Sequence, residues 1–323
     1  MCPVPVCMVS SVRKAVVCSN IYQQRLPKMS DVKKIKLDNT NRFQEELRNK
    51  RYKCAKSVQD FKFNKSRCRI ITKEEDMPED AGGVLYWMVR DHRVQDNWSL
   101  LFAQKQALKY KVALHVCFCF SSSLLECTLR HANFMIAGIK EVATECSSLG
   151  ISFHLFRGQP HTEIPEFVSK FKIGSVIVDF HPLKAPKKWL NDVKENISIP
   201  ICQVDAHNVV PCWVASEKQE YAARTIRSKI HSKLKTFLTE FPPVIKHPYP
   251  GEFNRPEIDW DAVLSESTFL DNNVKPVDWA VPGTKGGLEV LEQFVTSRLK
   301  DYADKRNDPT CDVLSNLSPW FHF

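Results

Sequence analysis

The chain has 323 residues, enough for about two domains, and its apolar fraction of 43% is adequate for a folded protein. No run of 18 apolar residues occurs, so the sequence predicts no membrane-spanning helix and no membrane partner. The formal net charge of +9 is unevenly placed, because residues 1–80 hold 18 Lys/Arg and 10 Asp/Glu. The remainder carries a net charge of only +1, so the basic character belongs to the N-terminal part of the chain.

The basic N-terminal segment predicts an arm rather than a domain. Residues 1–28 contain four Lys/Arg and no acid, a composition that resembles mitochondrial presequences. We expect disorder over most of residues 1–75, with one helix near Phe43–Arg51, and assign residues 1–81 to a basic, largely disordered arm. Its charge is equally compatible with nuclear targeting, attraction to a phosphate backbone, or a solvated tail. We expect a nuclear protein, with a mitochondrial one as the alternative.

Twelve cysteines are irregularly spaced and form no CxxC pair. Cys146, Cys202 and Cys212 lie among core-type residues. The pattern predicts reduced, buried thiols of an intracellular protein rather than disulfides, and no metal site.

Residues 82–206 alternate between apolar strand-like runs and helix-like segments. This alternation predicts a doubly wound α/β domain with a five-stranded parallel sheet. Helices are expected between successive strands. The strands are predicted at 84–89, 112–120, 151–156, 175–180 and 200–205.

Ligands of such sheets bind beyond the carboxyl ends of the strands. Those ends are Arg90–Arg93, Arg157–Gly158 and Asp179–Pro182. Neither a GxGxxG sequence nor a P-loop occurs, so the usual dinucleotide and nucleoside triphosphate fingerprints are absent.

Residues 207–285 are predicted to connect two domains, through a long helix from Ser216 to about Phe241 and a proline-rich linker. Residues 286–323 then begin a helical domain, with a helix over 288–305 and a turn at Asn307-Asp308. At the end of the chain, Ser318 suits an N-cap and Pro319 a first helical turn. A helix start of this kind presents unpaired N–H groups that suit a phosphate.

Three segments resemble the class II cyclobutane pyrimidine dimer photolyases. They are Tyr86–Trp98, Val204–Thr225 and Tyr302–Phe323, so the resemblance covers roughly residues 82–323. It implies an α/β antenna domain followed by a helical domain that holds FAD. By the same resemblance, the flavin contacts are Tyr302, Leu314, Ser315, Asn316, Leu317 and Ser318. It assigns no catalytic residue within this chain, and the antenna pigment is not identified.

The resemblance implies light-dependent repair of pyrimidine dimers in DNA, by electron transfer from reduced FAD in a monomeric lyase. The family's helical domain continues well beyond Phe323, so we expect this chain to bind FAD weakly or not at all and to be inactive alone. The alternatives are a non-catalytic α/β module that binds DNA or a partner, and a cryptochrome-type flavin photoreceptor.

Overall fold

The computed structural model describes residues 33–120, 127–249, 251, 257–265, 271 and 273–323, with side chains from residue 42 onward. The chain divides into two compact units, residues 1–47 and 48–323. The described part of the first unit belongs to helix α1, Lys33–Cys54. This helix confirms the one predicted near Phe43–Arg51. The predicted presequence, residues 1–28, lies outside the described residues.

The second unit is built on one six-stranded sheet with the order β1-β6-β5-β2-β3-β4. Strands β2 to β6 are parallel to their neighbours, and β1 runs antiparallel to β6 at one edge. The strand bounds are β1 Cys68–Ile70, β2 Gly83–Trp87, β3 Ala113–Cys119, β4 Ser152–Phe156, β5 Ile173–Asp179 and β6 Ile201–Val204. The five predicted strands and the doubly wound α/β class are therefore confirmed.

Strand β1 corrects two predictions, because the sheet has six strands rather than five and the sixth comes from the segment predicted to be disordered. Residues 55–70 are anchored by Val58, Phe63 and Arg67, all buried. The ring of Phe63 packs edge-on against Trp98, with centroids 5.8 Å apart. A few anchors hold this part of the arm, although its average composition is polar.

Helices cover both faces of the sheet, as a doubly wound fold requires. Helices α2 and α3 pack on one face, and α4 and α5 on the other. Helix α3 illustrates how the sequence directs this packing. Its buried residues Ala132, Met135, Ile139, Val142 and Cys146 recur every three or four positions and form one apolar stripe. The bounds are α2 Trp98–Tyr110, α3 Leu129–Ser148, α4 Pro160–Lys170 and α5 Lys184–Lys194.

Arg67 ties β1 to the segments that follow the sheet. Its guanidinium donates to the backbone carbonyl oxygens of Asn208 (3.0 Å), Val209 (2.7 Å) and Phe237 (3.0 Å). It also lies over the ring of Trp98, 5.1 Å from the centroid. Only 2% of Arg67 is exposed, so the arm is joined to the α/β unit by a buried cation.

The predicted helix from Ser216 to Phe241 is wrong as one continuous element. Two shorter helices replace it, α7 Ala223–His231 and α8 Leu234–Phe237, and a further short helix, α6 Cys212–Ala215, precedes them. Between α6 and α7, Glu220 binds the Ser216 hydroxyl (2.7 Å) and the Lys229 ammonium. These side-chain bonds hold the non-helical stretch before α7, an effect that apolar spacing cannot reveal.

Residues 244–247 form an extended strap across α2 and the start of β4. The side-chain amides of Gln95 and Gln104 pair with the backbone of Val244 and Ile245, at 2.7–3.3 Å. His247 donates its backbone N–H to Leu149 O (2.7 Å). This part of the predicted irregular linker is therefore fixed to the α/β unit.

The remaining elements follow the strap. The predicted helix over 288–305 begins earlier and is interrupted by a π turn. The bounds are α9 Trp260–Ser265, α10 Gly283–Gln293, the π turn Phe294–Arg298, α11 Leu299–Lys305 and α12 Ser318–His322. Within the described residues, no helix has the length and apolar character that a membrane crossing demands.

Candidate functional site

The sheet reverses its winding direction between β2 and β5. From β2 the chain proceeds to β3 and β4 on one side, and from β5 it proceeds to β6 on the other. The carboxyl ends of these two central strands therefore flank the crevice where ligands of doubly wound sheets bind.

Asp179, at the end of β5, organises this crevice. It is 2% exposed and accepts the hydroxyl hydrogen of Tyr86 (2.9 Å). Its Oδ2 also accepts the backbone N–H groups of Val89 (3.0 Å), Arg90 (2.9 Å) and Asp91 (3.2 Å). Burial, followed by the negative charge of Asp91, raises the pKa of the Asp179 carboxyl. One buried carboxyl thus fixes the loop that leaves the neighbouring strand.

Asn97 fixes the same loop from its other end. Its Oδ1 accepts the backbone N–H of Ser99 (2.9 Å) and so caps α2. Its Nδ2 donates to the carbonyl oxygens of Asp91 and Arg93, at 3.0 Å each. The four-residue loop 90–93 is therefore held by polar contacts at both ends.

Asp91 is the second buried carboxylate of the crevice. Its Oδ1 accepts from Arg93 (3.0 Å) and from Nδ1 of His207 (3.3 Å). Burial alone would raise the pKa of Asp91, but the His207 hydrogen bond and the Arg93 charge together lower it. Its Oδ2 is buried without a hydrogen-bond partner among the described residues, and so is Nε2 of His92.

A cavity of about 250 Å³ opens beside these groups. The loop 90–93 and His207 form its polar wall, and the opposite wall comes from α3, α10 and the end of the chain. Such a cavity suits a planar ligand with polar edges, because polar side chains line one wall and aromatic rings line the other. The apolar wall includes Phe134, Leu288, Leu291, Leu317, Trp320, Phe321 and Phe323.

Helix α10 docks on α3 through two glycines and a carboxylate. A Cβ on Gly138 would lie 3.4 Å from the Cα of Gly283, so the two backbones are in close contact. Glu141 on α3 accepts the backbone N–H of Lys285 (3.0 Å) in the first turn of α10. The C-terminal segment is therefore docked on the α/β domain.

Of the six residues predicted to contact flavin, only Leu317 lines this cavity. Tyr302 is half-buried on α11, where its ring meets Phe294 edge-on (5.8 Å) and lies below the Arg306 guanidinium (5.7 Å). Leu314, Ser315, Asn316 and Ser318 are exposed or half-buried. The geometry therefore separates Leu317, which faces the α/β domain, from the other five.

The predicted N-cap at Ser318 is wrong by one residue. Leu317 occupies the cap position of α12, with no side-chain cap hydrogen bond, and Ser318 is already helical. Asn316 has a φ of 56°, in the left-handed region that asparagine tolerates. This turn buries Leu317 and leaves Asn316 and Ser318 exposed.

The predicted turn at Asn307-Asp308 is confirmed. Asp308 Oδ1 accepts the backbone N–H (2.9 Å) and the hydroxyl (2.7 Å) of Thr310. Beyond the turn, Asp312 pairs with Arg298 of the π turn at 3.5 Å. The loop that leads to Leu314 is thus tied to the helix that carries Tyr302.

The sequence located part of the cavity. Of the three predicted strand ends, only Arg90–Arg93 lines the cavity. Asp179 does not line it but holds that loop through its carboxylate, and Arg157 follows the edge strand β4. The contributions of Gly138 and Gly283 were missed, because nothing local marks a contact between distant glycines. Cys146 and Cys202 are buried as predicted, but Cys212 is exposed.

The environment of His181 predicts that the folded protein loses stability in acid. Burial, then the positive charges of Arg90 and His207, lower its pKa from 6.5 to about 4. In the unfolded chain this histidine takes up a proton near its ordinary pKa. The unfolded state therefore binds the proton first, and the free energy of unfolding falls as the pH drops from 6.5 to 4.

We expect His181→Gln to flatten this part of the pH profile, since glutamine does not titrate but can still accept the Leu183 N–H. Urea unfolding between pH 7 and 4.5 measures the effect. The matched control is His161→Gln, at an exposed position on α4. A His181→Gln profile as steep as the parent's would contradict the assignment.

Comparisons with known proteins agree with this architecture. A family model described as DNA photolyase matches residues 84–247. A deoxyribodipyrimidine photo-lyase of Potorous tridactylus is 49% identical over 282 residues, which are 87% of this chain and 53% of that protein. One of Arabidopsis thaliana is 37% identical over 268 residues, 80% of this chain and 54% of that protein. The chain thus spans about half the length of the curated relatives it matches.

Two solved structures share the fold. A cryptochrome of Synechocystis sp. PCC6803 gives a TM-score of 0.58 at 18% identity, covering 76% of this chain and 53% of that one. An archaeal photolyase of Sulfolobus tokodaii gives 0.51 at 16% identity, covering 74% and 51%. At these identities the likeness concerns the fold alone.

Proposed function

Because this chain belongs to the DNA photolyase family, we propose that it forms the antenna-domain half of a light-dependent DNA repair lyase. The substrate is DNA that contains cyclobutane pyrimidine dimers, and the cofactor is FAD. The observation that carries the proposal is 49% identity, over 87% of this chain, to a protein named deoxyribodipyrimidine photo-lyase. The division at residues 82–206 and 286–323, and action in the nucleus, belong to the same proposal.

Residues of the C-terminal segment fit one wall of a flavin site. The side chains of Ser315, Asn316 and Ser318 are at least partly exposed, and the described residues offer them no hydrogen bond. Hydroxyl and amide groups of this kind suit phosphate or ribityl oxygens. Tyr302 would add a phenol from the preceding helix. When bound, a reduced flavin supplies the electron that splits the dimer, and these side chains would hold and orient it.

The test joins this chain, after Phe323, to the remaining half of the Potorous tridactylus relative. We expect the chimaera to retain FAD and to remove dimers from an oligonucleotide under blue light. The chain alone, mixed with reduced FAD, should remove no more than a protein-free sample, because a flavin needs an enclosed site and the candidate side chains form one open wall. A folded chimaera that holds FAD without repairing dimers would refute the function.

A second variant tests the wall itself. Asn316→Gly keeps a residue that accepts the positive φ, and Ser318→Ala removes one hydroxyl. Two lost hydrogen bonds of about 1 kcal/mol each predict roughly thirtyfold weaker FAD retention by the chimaera. Lys300→Gln, at an exposed site on α11, is the control. Unchanged retention in the double variant would place the flavin elsewhere.

A further inference from the structure

A basic surface lies outside the candidate site, on helices α7 and α8. Residues 221–239 contain five Lys/Arg and no Asp/Glu, whereas residues 81–323 as a whole carry a net charge of only +1. Positive charge on the α/β unit is therefore concentrated locally. We call Arg224, Arg227, His231 and Lys235 the basic stripe.

The spacing of the stripe follows from how these helices pack. Ile226, Ile230 and Leu234 face a small core made of Val210, Ala215 and Phe237. On the opposite side Arg224, Arg227 and His231 recur at intervals of three and four positions, which places them along one face of α7. Lys235 follows on α8, the next short helix. All four are exposed, so the stripe faces solvent.

Most of this charge is uncompensated. Lys229 is paired with Glu220, but among the described residues Arg224, Arg227 and Lys235 have no carboxylate within ion-pair distance. On α5, by contrast, Lys188 pairs with Asp192 at 2.6 Å. A row of unpaired cations in a nearly neutral surface attracts a polyanion. In a nucleic acid, such cations contact the phosphates rather than the edges of the bases.

We propose that the basic stripe binds the phosphate backbone of duplex DNA, independently of sequence and damage. The proposal rests on the proposed function only for the choice of DNA as the polyanion. Tyr221, 88% exposed ahead of the stripe, adds a phenol that can donate to a phosphate. The packed apolar side and the Glu220–Lys229 pair hold the stripe in place. Such a contact keeps the protein on undamaged DNA while the separate repair site meets lesions.

The test measures binding of the full chain to an undamaged duplex over a series of salt concentrations, in the dark and without flavin. The variant combines Arg224→Gln, Arg227→Gln and Lys235→Gln. Each lost phosphate contact reduces the slope of log K against log salt by about 0.9, so three contacts predict a reduction of about 2.7. The thermal unfolding midpoint should stay unchanged, because the three side chains are exposed and unpaired.

The matched control combines Lys184→Gln, Lys187→Gln and Lys194→Gln on α5, which removes the same charge from exposed positions. It should keep the parent's slope. An equal loss in the control, an unchanged slope in the stripe variant, or no duplex binding by the parent overturns the proposal. Loss of binding to anionic vesicles with duplex binding retained also overturns it. Dimer repair by the chimaera is measured separately, so failure of either proposal leaves the other intact.

Discussion

Replacing Arg67 by methionine is expected to lower the free energy of unfolding by about 3–5 kcal/mol, a loss typical of a broken buried polar network. Methionine fills similar space but leaves the buried carbonyl oxygen of Phe237 and the partly buried ones of Asn208 and Val209 without these donors. Each unsatisfied buried acceptor costs about 1–3 kcal/mol. Burial lowers the pKa of Arg67 to about 10, so the lost group is a cation at neutral pH.

Urea unfolding measures the change, and Arg48→Met is its control. Arg48 is an exposed arginine on α1 that lies over Tyr52 (5.9 Å), so its replacement should change stability by less than about 0.5 kcal/mol. Limited proteolysis should also cut residues 55–70 faster in the Arg67 variant. Equal stability of the two variants would mean that the arm does not depend on its buried cation.

Gly283→Val should release α10 from α3 without unfolding the α/β unit. Gly283 has a φ of 89°, which strongly disfavours a β-branched residue. A Cβ at position 283 would lie 2.1 Å from a carboxylate oxygen of Glu141. Backbone strain of about 1–3 kcal/mol, together with displacement of the Glu141 side chain, exceeds what a small helix contact can offset. The carboxylate would also lose its place at the first turn of α10.

Tryptophan emission and limited proteolysis report the release. Trp320 donates to Val281 O (2.9 Å) and meets Phe134 edge-on, so its emission should shift to the red when the segment detaches. The sheet should unfold at the parent's urea midpoint. Lys285→Val, two residues along the same helix at an exposed position, introduces the same side chain and should behave like the parent. A Gly283 variant with parental emission and protease resistance would contradict this account of docking.

The central strands were predictable because their continuous apolar runs reflect burial on both faces. Strand β2, for example, is buried at each of its five residues. Strand β1 gives no such signal, since Cys68-Arg69-Ile70 is short, charged and half exposed. Its position depends on Arg67 and on register with β6, both long-range effects. The non-helical stretch between α6 and α7 likewise depends on a side-chain network, that of Glu220 with Ser216 and Lys229.

The candidate site divides in the same way. Loop 90–93 and Asp179 could be located in advance, because the carboxyl ends of adjacent parallel strands must meet. The burial of Asp91 and the orientation of Leu317 could not. The first depends on His207, which is 116 residues away, and the second on the backbone turn at Asn316.

The strap over residues 244–247 sets an order of events during protein synthesis. The last parallel strand ends at Val204, yet the backbone partners of Gln95 and Gln104 emerge only with Val244 and Ile245. At 5–20 residues per second, the ribosome needs roughly 2–8 s to make the intervening segment. Throughout that interval all six strands have been synthesised, but Gln95 and, on α2, Gln104 still lack the backbone that pairs with their side chains.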